Sequence, residues 1–248
     1  MNMVRGLLKL VLKFLFLSTI FLYFVKNVAA QENFESRALV VPSQEAIISS
    51  EIAARIDSVE VKEMDRFQKG DLLIQFDCSL YEAQKDVVSA NANSALIKLK
   101  SDEQMLQMRS IGKYELELSK SEFEKAKAEL HIAELNVERC TISAPFDGAV
   151  EEVLINAYEG VQPQVELMKI IQTDVLELEM VVSSEWISWL TIGHPVKVFI
   201  DEIQKEFNAS ISGIGANVDA VSQTIQLKGT ITEVSPALLP GMSGRVIF

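Results

Sequence analysis

Few residues in this chain have side chains and spacings suited to chemistry. The only thiols are Cys78 and Cys140, and the only imidazoles are His131 and His194. A thiol can serve as nucleophile, metal ligand or half of a disulfide, and an imidazole as general base or metal ligand. No Cys and His lie at zinc-ligand spacing. His131 falls inside a run of helix formers and reads as a solvated helix side chain. His194, in Gly193-His194-Pro195, reads as a turn residue. No Gly-rich loop follows a strand in the way phosphate binding requires. The sequence therefore predicts no catalytic residue, no metal ligand and no cofactor, and the chain is not expected to be an enzyme.

The elements around the cysteines give them a different use. Two stretches repeat the same apolar spacing 94 positions apart, carrying Ile48 to Ile142, Val59 to Val153 and Leu73 to Leu167. The first runs Ile48, Ser50, Ile52, Ala54, Ile56, Val59, Val61, then Phe67 and Leu72-Leu73-Ile74. The second runs Ile142, Ala144, Phe146, Gly148, Val150, Val153, Ile155, then Val161, Leu167-Met168 and Ile170. Period-2 spacing marks short strands that bury one face, so each half needs the other to close it.

Between the halves, from Leu80 to Arg139, there is one Gly and no Pro, with many Ala, Glu, Lys, Leu and Gln residues, all good helix formers. Ser79 is expected to cap the start, with Glu82 completing a capping box. The returning arm carries a clear seam at Leu116, Ser119, Phe123, Ala126, Leu130, Ala133, Val137 and Cys140, spaced alternately 3 and 4. For the outgoing arm two seams compete. One passes through Cys78, Tyr81, Lys85, Val88, Ala92, Ala95, Leu99, Asp102 and Leu106. The other uses Leu80, Ala83, Val87, Ala90, Ile97 and Met108. The break falls at Arg109-Ser110-Ile111-Gly112-Lys113, giving arms of about 25 to 30 residues and about 40 Å. Cys78 and Cys140 bracket this excursion, so in an oxidising compartment they are disulfide candidates across its base, worth about 4 kcal/mol on loop entropy. Two separate buried thiols are the alternative.

The N-terminus reads as a secretory signal over residues 1–30. It has basic Arg5, Lys9 and Lys13, a run from Phe14 to Val25 that is apolar except for Ser18 and Thr19, and small residues at Val28-Ala29-Ala30. Cleavage is expected, with retention as an anchor the alternative. Losing Arg5, Lys9, Lys13 and Lys26 takes the net charge from −12 to −16, since all 35 acidic residues follow. So acidic a chain is expected to bind neither nucleic acid nor anionic lipid. After a polar lead-in, a strand is expected from Arg37 to Val41. Beyond the second half, strands are expected at 175–182, 196–200, 207–211, 225–231 and 244–248, with a short capped helix over Ser184–Leu190. Turns are expected at Gly213, Gly215, Asn217, Asp219, Pro236, Pro240 and Gly241. Together these strands make a small barrel.

The two β halves resemble those of a lipoyl or biotinyl carrier domain, and Glu166-Leu167-Met168-Lys169-Ile170 resembles its modified-lysine motif. In carriers that lysine sits on the turn joining the halves. Here the helical arm occupies the junction, and Lys169 is expected inside a strand as a packing neighbour. The whole layout, with Ile142-Ser143-Ala144-Pro145-Phe146-Asp147-Gly148, Leu239-Pro240-Gly241-Met242, and Asn217-Val218-Asp219 before Gln223-Thr224, resembles the periplasmic adaptors, or HlyD-type membrane fusion proteins. The resemblance covers Val40 to Phe248.

That resemblance implies a mainly β fold with an α-helical hairpin. A split lipoyl-like (barrel-sandwich hybrid) domain is interrupted by a coiled-coil hairpin and followed by a β-barrel. The segments are a signal peptide (1–30), a lead-in with the first barrel strand (31–44), lipoyl-like half 1 (45–78), the hairpin (79–140), half 2 (141–174) and the barrel (175–248). It implies a non-enzymatic adaptor in the periplasm at the inner membrane, self-associating into a ring. Its partners are an inner-membrane transporter, more in keeping with a proton-driven RND pump than an ABC exporter, and an outer-membrane channel. The channel contacts transferred to this chain are Arg109, Ile111 and Lys113 at the tip. A periplasmic coiled-coil scaffold or regulator is the alternative. From Arg109 the pump adaptors' tip pattern calls for Leu and Ser where this chain has Lys113 and Lys120. Arg66, Ala54 and Gln164 stand where the family often has Gly. A membrane-proximal domain is expected to be absent, and with no lipidation cysteine after the signal, attachment is expected to rest on protein contacts.

Overall fold

The computed structural model describes residues 34–233 and 235–248; the expected signal segment lies outside the described residues. In chain order the elements are β1 (Glu35–Pro42), β2 (Glu45–Ser49), β3 (Ala54–Val59), β4 (Arg66–Phe67), β5 (Leu72–Phe76), α1 (Ser79–Gln107), α2 (Lys113–Glu138), β6 (Thr141–Ser143), β7 (Gly148–Val153), β8 (Gly160–Val161), β9 (Glu166–Gln172), β10 (Leu176–Ser183), a 3-10 turn (Ser184–Ser188), β11 (Pro195–Ile200), β12 (Lys205–Asp219), β13 (Thr224–Ile231) and β14 (Ser243–Ile247).

The period-2 repeat folds into two four-stranded sheets, ordered β2-β9-β7-β4 and β6-β5-β3-β8. Moving 94 positions along the chain takes β2 to β6, β3 to β7, β4 to β8 and β5 to β9, so one sheet order becomes the other. Each sheet takes strands from both halves, and neither half forms a sheet alone. The backbone bonds come in matching pairs. Met64 N donates to Val150 O (2.9 Å) as Tyr158 N does to Ile56 O (2.8 Å), and Gly70 N to Ala144 O (2.9 Å) as Gln164 N does to Ser50 O (2.7 Å). Both sheets share one core: Ile56, Leu73, Ile74 and Phe76 from the first half meet Val150, Leu167, Met168 and Ile170 from the second. Each such side chain contributes about 1.5–3 kcal/mol by leaving water. Where β7 crosses β9 the backbones approach so closely that a Cβ on Gly148 would collide with the Ile171 carbonyl.

The six remaining strands close into a barrel in the order β1-β10-β13-β12-β11-β14. Alternate residues point inward: Val40, Leu178, Met180, Val198, Ile200, Ile211, Leu227 and Val246 are all essentially buried. Three of the expected turn residues are not turns. Gly213, Gly215 and Asn217 lie inside the fifteen-residue β12, where its pairing with β13 shifts register after Ile211 and again after Ile214. Glycine is needed at 215 because a Cβ there would stand 2.9 Å from the Gln226 carbonyl, and the two register shifts mark bulges that bend a continuous strand. The chain reverses only after Asp219, where Gln223 N donates to Asp219 O (2.8 Å). The expected helix at Ser184 is a single 3-10 turn capped by the Ser183 hydroxyl.

The helices α1 and α2, of 29 and 26 residues, pack mainly against each other, and the foot of α1, at Tyr81, touches the core of the β halves. At 1.5 Å per residue each is about 40 Å long. Among the described residues no helix is long and apolar enough to cross a membrane.

Candidate functional site

The helical arm carries apolar surface that its own packing does not account for. Its inner seam is built from both helices. On α2 the residues at alternating 3 and 4 spacing from Leu116 to Val137 are buried or half-buried, Ser119 and Ala133 fully so. On α1 the inner set runs through Tyr81, Lys85, Val88, Ala92, Ala95, Leu99, Asp102 and Leu106, all at least half-buried. The competing set is the outer face: Leu80, Val87, Ile97 and Met108 are 61–68% exposed. Asp102 enters the seam because Ser119, on the facing helix, donates its hydroxyl to that carboxylate. Beside them Lys98 Nζ meets Glu122 Oε2 at 2.6 Å. The hydrogen bond to Glu122, reinforced by the charge of Asp102, raises the Lys98 pKa.

On one side the outer stripe of α1 adjoins α2 across an open groove of about 500 Å³, lined by Val87, Val88, Ile132 and Ala133 among others, with Ile132 60% exposed. The groove is largely apolar and open to solvent.

At the base, Cys78 and Cys140 form a disulfide with Cα atoms 5.8 Å apart. Phe76 N donates to Cys140 O (2.9 Å), Tyr81 Oη donates to Ala53 O (3.1 Å), and Arg139 pairs with Glu51 at 2.7 Å. The start of α1 differs from expectation. Ser79 is the first helical residue rather than the cap, and Glu82 completes no box. Asp77 does the capping, accepting from the Ser79 amide (3.2 Å) and hydroxyl (2.8 Å). Cys78 holds the N-cap position without a side-chain bond, and the Asp77 carboxylate just before it is favoured because the exposed amides and the helix dipole attract negative charge. The two Ser79 hydrogen bonds, and then Arg55 at 2.9 Å, hold the Asp77 pKa below its ordinary value.

At the tip, α1 closes with Arg109 N and Ser110 N donating to Leu106 O and Met105 O. Arg109 turns at φ +60° and is exposed, Ile111 is half-buried, and Lys113 is the exposed first residue of α2. Gly112 N donates to Glu115 Oε2 (3.1 Å), which fixes the start of α2. The three residues thus share one short loop and its edge, flanked by exposed Met108 and Tyr114.

The other singled-out residues lie elsewhere. Lys169 sits within β9, paired with Glu152 at 2.8 Å, and that bond raises its pKa. His131 is an exposed helix residue near Glu134, and the His194 ring rests against Trp189 at 5.5 Å between centroids. Among the described residues no group of three His, Cys, Asp or Glu side chains could hold a metal ion. One cluster was not anticipated: Phe34, Trp186, Trp189 and Phe248 meet at one end of the barrel. Its only sequence signal was the pair of tryptophans three apart.

No model of a known protein family matches the sequence. An uncharacterized protein of Haemophilus influenzae is 24% identical over 210 residues, 84% of this chain and 55% of that protein. This chain therefore spans about half the length of the curated relative it matches. Among solved structures, a MacA–MexA chimera bearing the Pseudomonas aeruginosa MexA α-hairpin domain is similar with a TM-score of 0.74, at 18% identity over 87% of this chain and 80% of that one. The membrane fusion protein Spr0693 of Streptococcus pneumoniae is similar with a TM-score of 0.69, at 17% identity over 86% of this chain and 98% of that one. The fold is that of the membrane fusion proteins. Likeness at these identities is likeness of architecture. In this membrane fusion protein fold the arm stands between two β halves that are closed only by each other.

Proposed function

We propose that this protein is a periplasmic adaptor that links an inner-membrane transporter to an outer-membrane channel in a tripartite efflux or export system. The observation that supports it best is the arm itself. It is a two-helix projection of about 40 Å with an exposed apolar stripe at Leu80, Val87, Ile97 and Ile132, on a fold shared with membrane fusion proteins. In this reading the β halves, 45–78 and 141–174, are a split lipoyl-like domain, and 79–140 is a coiled-coil hairpin. The Cys78–Cys140 disulfide holds the hairpin's feet together. Copies assemble side by side into a ring, the barrel faces a proton-driven RND-type transporter, and Arg109, Ile111 and Lys113 touch the channel. No chemistry is performed on the cargo, and selection belongs to the transporter.

Photo-crosslinking side chains placed at 109 and 113 in the native host test the tip assignment. The expected product is an outer-membrane channel protein. Absence of any outer-membrane product, with tolerance to toxic solutes unchanged on gene deletion, overturns the adaptor reading in favour of a periplasmic scaffold. Recovery of a transporter with nucleotide-binding domains replaces the RND pump with an ABC exporter.

A further inference from the structure

Four aromatic rings close one end of the barrel. Phe34 stands 5.2 Å from Trp186 and 4.9 Å from Trp189 between centroids, and Phe248 stands 5.1 Å from Trp186. They come from three places: Phe34 just before β1, the 3-10 turn after β10, and Phe248 just after β14. Phe248 N donates to Phe34 O (3.0 Å), which fixes two of them side by side.

The cluster is only half covered. Both tryptophans pack on the barrel core with one side and remain partly exposed. Ile187, between them, is 44% exposed, and Ile192, two residues before the His194 that touches Trp189, is 69% exposed. Among the described residues neither indole N–H donates to a protein acceptor. Indole with an apolar body and a free donor is the side chain best suited to the boundary between hydrocarbon and headgroup.

We propose that this end of the barrel is a lipid-contacting surface seated at the headgroup level of a bilayer. The sequence supplies the occupant. The apolar run Phe14–Val25, taken in its alternative reading as a retained anchor rather than a cleaved signal, ends nine positions before Phe34, so a membrane holding that run lies within about 30 Å of extended chain from the cluster. Charge selects the lipid. Exposed Glu35 and Glu185 flank the rings, and the chain as a whole is acidic, so a zwitterionic surface is favoured over an anionic one. This inference does not depend on the adaptor reading, since it concerns the barrel end and not the arm.

The chain contains two tryptophans, both in the cluster, so indole fluorescence reports this surface alone. Full-length protein reconstituted into phosphatidylcholine vesicles should lose roughly half its tryptophan emission when the lipid carries bromine high on its acyl chains, where interfacial indoles reside. Replacing part of the phosphatidylcholine with phosphatidylglycerol should weaken the quenching. Ile187→Asp and Ile192→Asp alter exposed side chains, so the fold is retained by circular dichroism and emission should recover. Equal emission in brominated and unbrominated vesicles overturns the proposal, as does quenching that both Asp variants leave unchanged. Either result leaves the crosslinking test of the arm untouched.

Discussion

Gly70 and Gln164 hold equivalent places in the two β halves, and both turn there with positive φ, +92° and +73°. Met64 and Tyr158 form a second such pair, at +70° and +71°. The two halves therefore share backbone conformation as well as spacing, although only one of these four positions is a glycine. Gln164 is exposed, so its side chain contributes little to packing, while the left-handed conformation costs an L-residue about 1–2 kcal/mol. Gln164→Gly should stabilise the fold by about 0.5–1 kcal/mol after the extra unfolded-state entropy of glycine. Gly70→Ala should destabilise by about 1 kcal/mol, through φ alone, since a Cβ there meets nothing within 4 Å. Urea midpoints of the two variants check both signs.

What was legible in the sequence and what was not divides along a physical line. The β halves and the α2 seam could be read because burial there follows the period of a single element. The α1 seam could not, because Lys85 and Asp102 interrupt it and the groups that admit Asp102 sit on the other helix, Ser119 above all. Gly215 reads as a turn residue in sequence, yet its role is set by the Gln226 carbonyl of β13, which no local window contains. The aromatic barrel end joins positions 34, 186, 189 and 248, separations over which no periodicity carries information.

The disulfide closes a loop of 62 residues. Alkylation of the native protein before reduction should label neither Cys78 nor Cys140. Replacing both with Ser should lower stability by about 4 kcal/mol on loop-entropy grounds. Labelling of both thiols in the untreated native protein would refute the bridge.

Asp102 and Ser119 should be coupled. Ser119→Ala leaves a half-buried carboxylate without its hydroxyl donor and should cost about 1–3 kcal/mol. Asp102→Leu in the Ser119→Ala background removes the stranded charge and restores an apolar seam, so the double variant should be more stable than Ser119→Ala alone. A double-mutant cycle on thermal midpoints tests this, with a coupling of about 0.5–3 kcal/mol expected for groups in contact. Additive effects would mean that the two side chains act independently.

Asp77 should make the foot of the arm sensitive to acid. Its carboxylate accepts two hydrogen bonds from Ser79 and faces Arg55, and its pKa in the folded protein lies below the ordinary 3.8. A depressed pKa means that the folded state holds the proton less tightly than the unfolded chain does. The stabilisation is therefore fully present above pH 3.8 and fades as the pH falls from there through the folded value. Asp77→Ala removes the cap and the charge together. The variant should be less stable than the parent at neutral pH, and the gap should narrow as denaturation is repeated at successively lower pH below 4. A gap that stays constant from pH 7 to pH 2 would assign the loss to packing rather than to the ionised cap. Because Asp77 adjoins Cys78, the comparison is made with the disulfide intact, so that only the carboxylate differs.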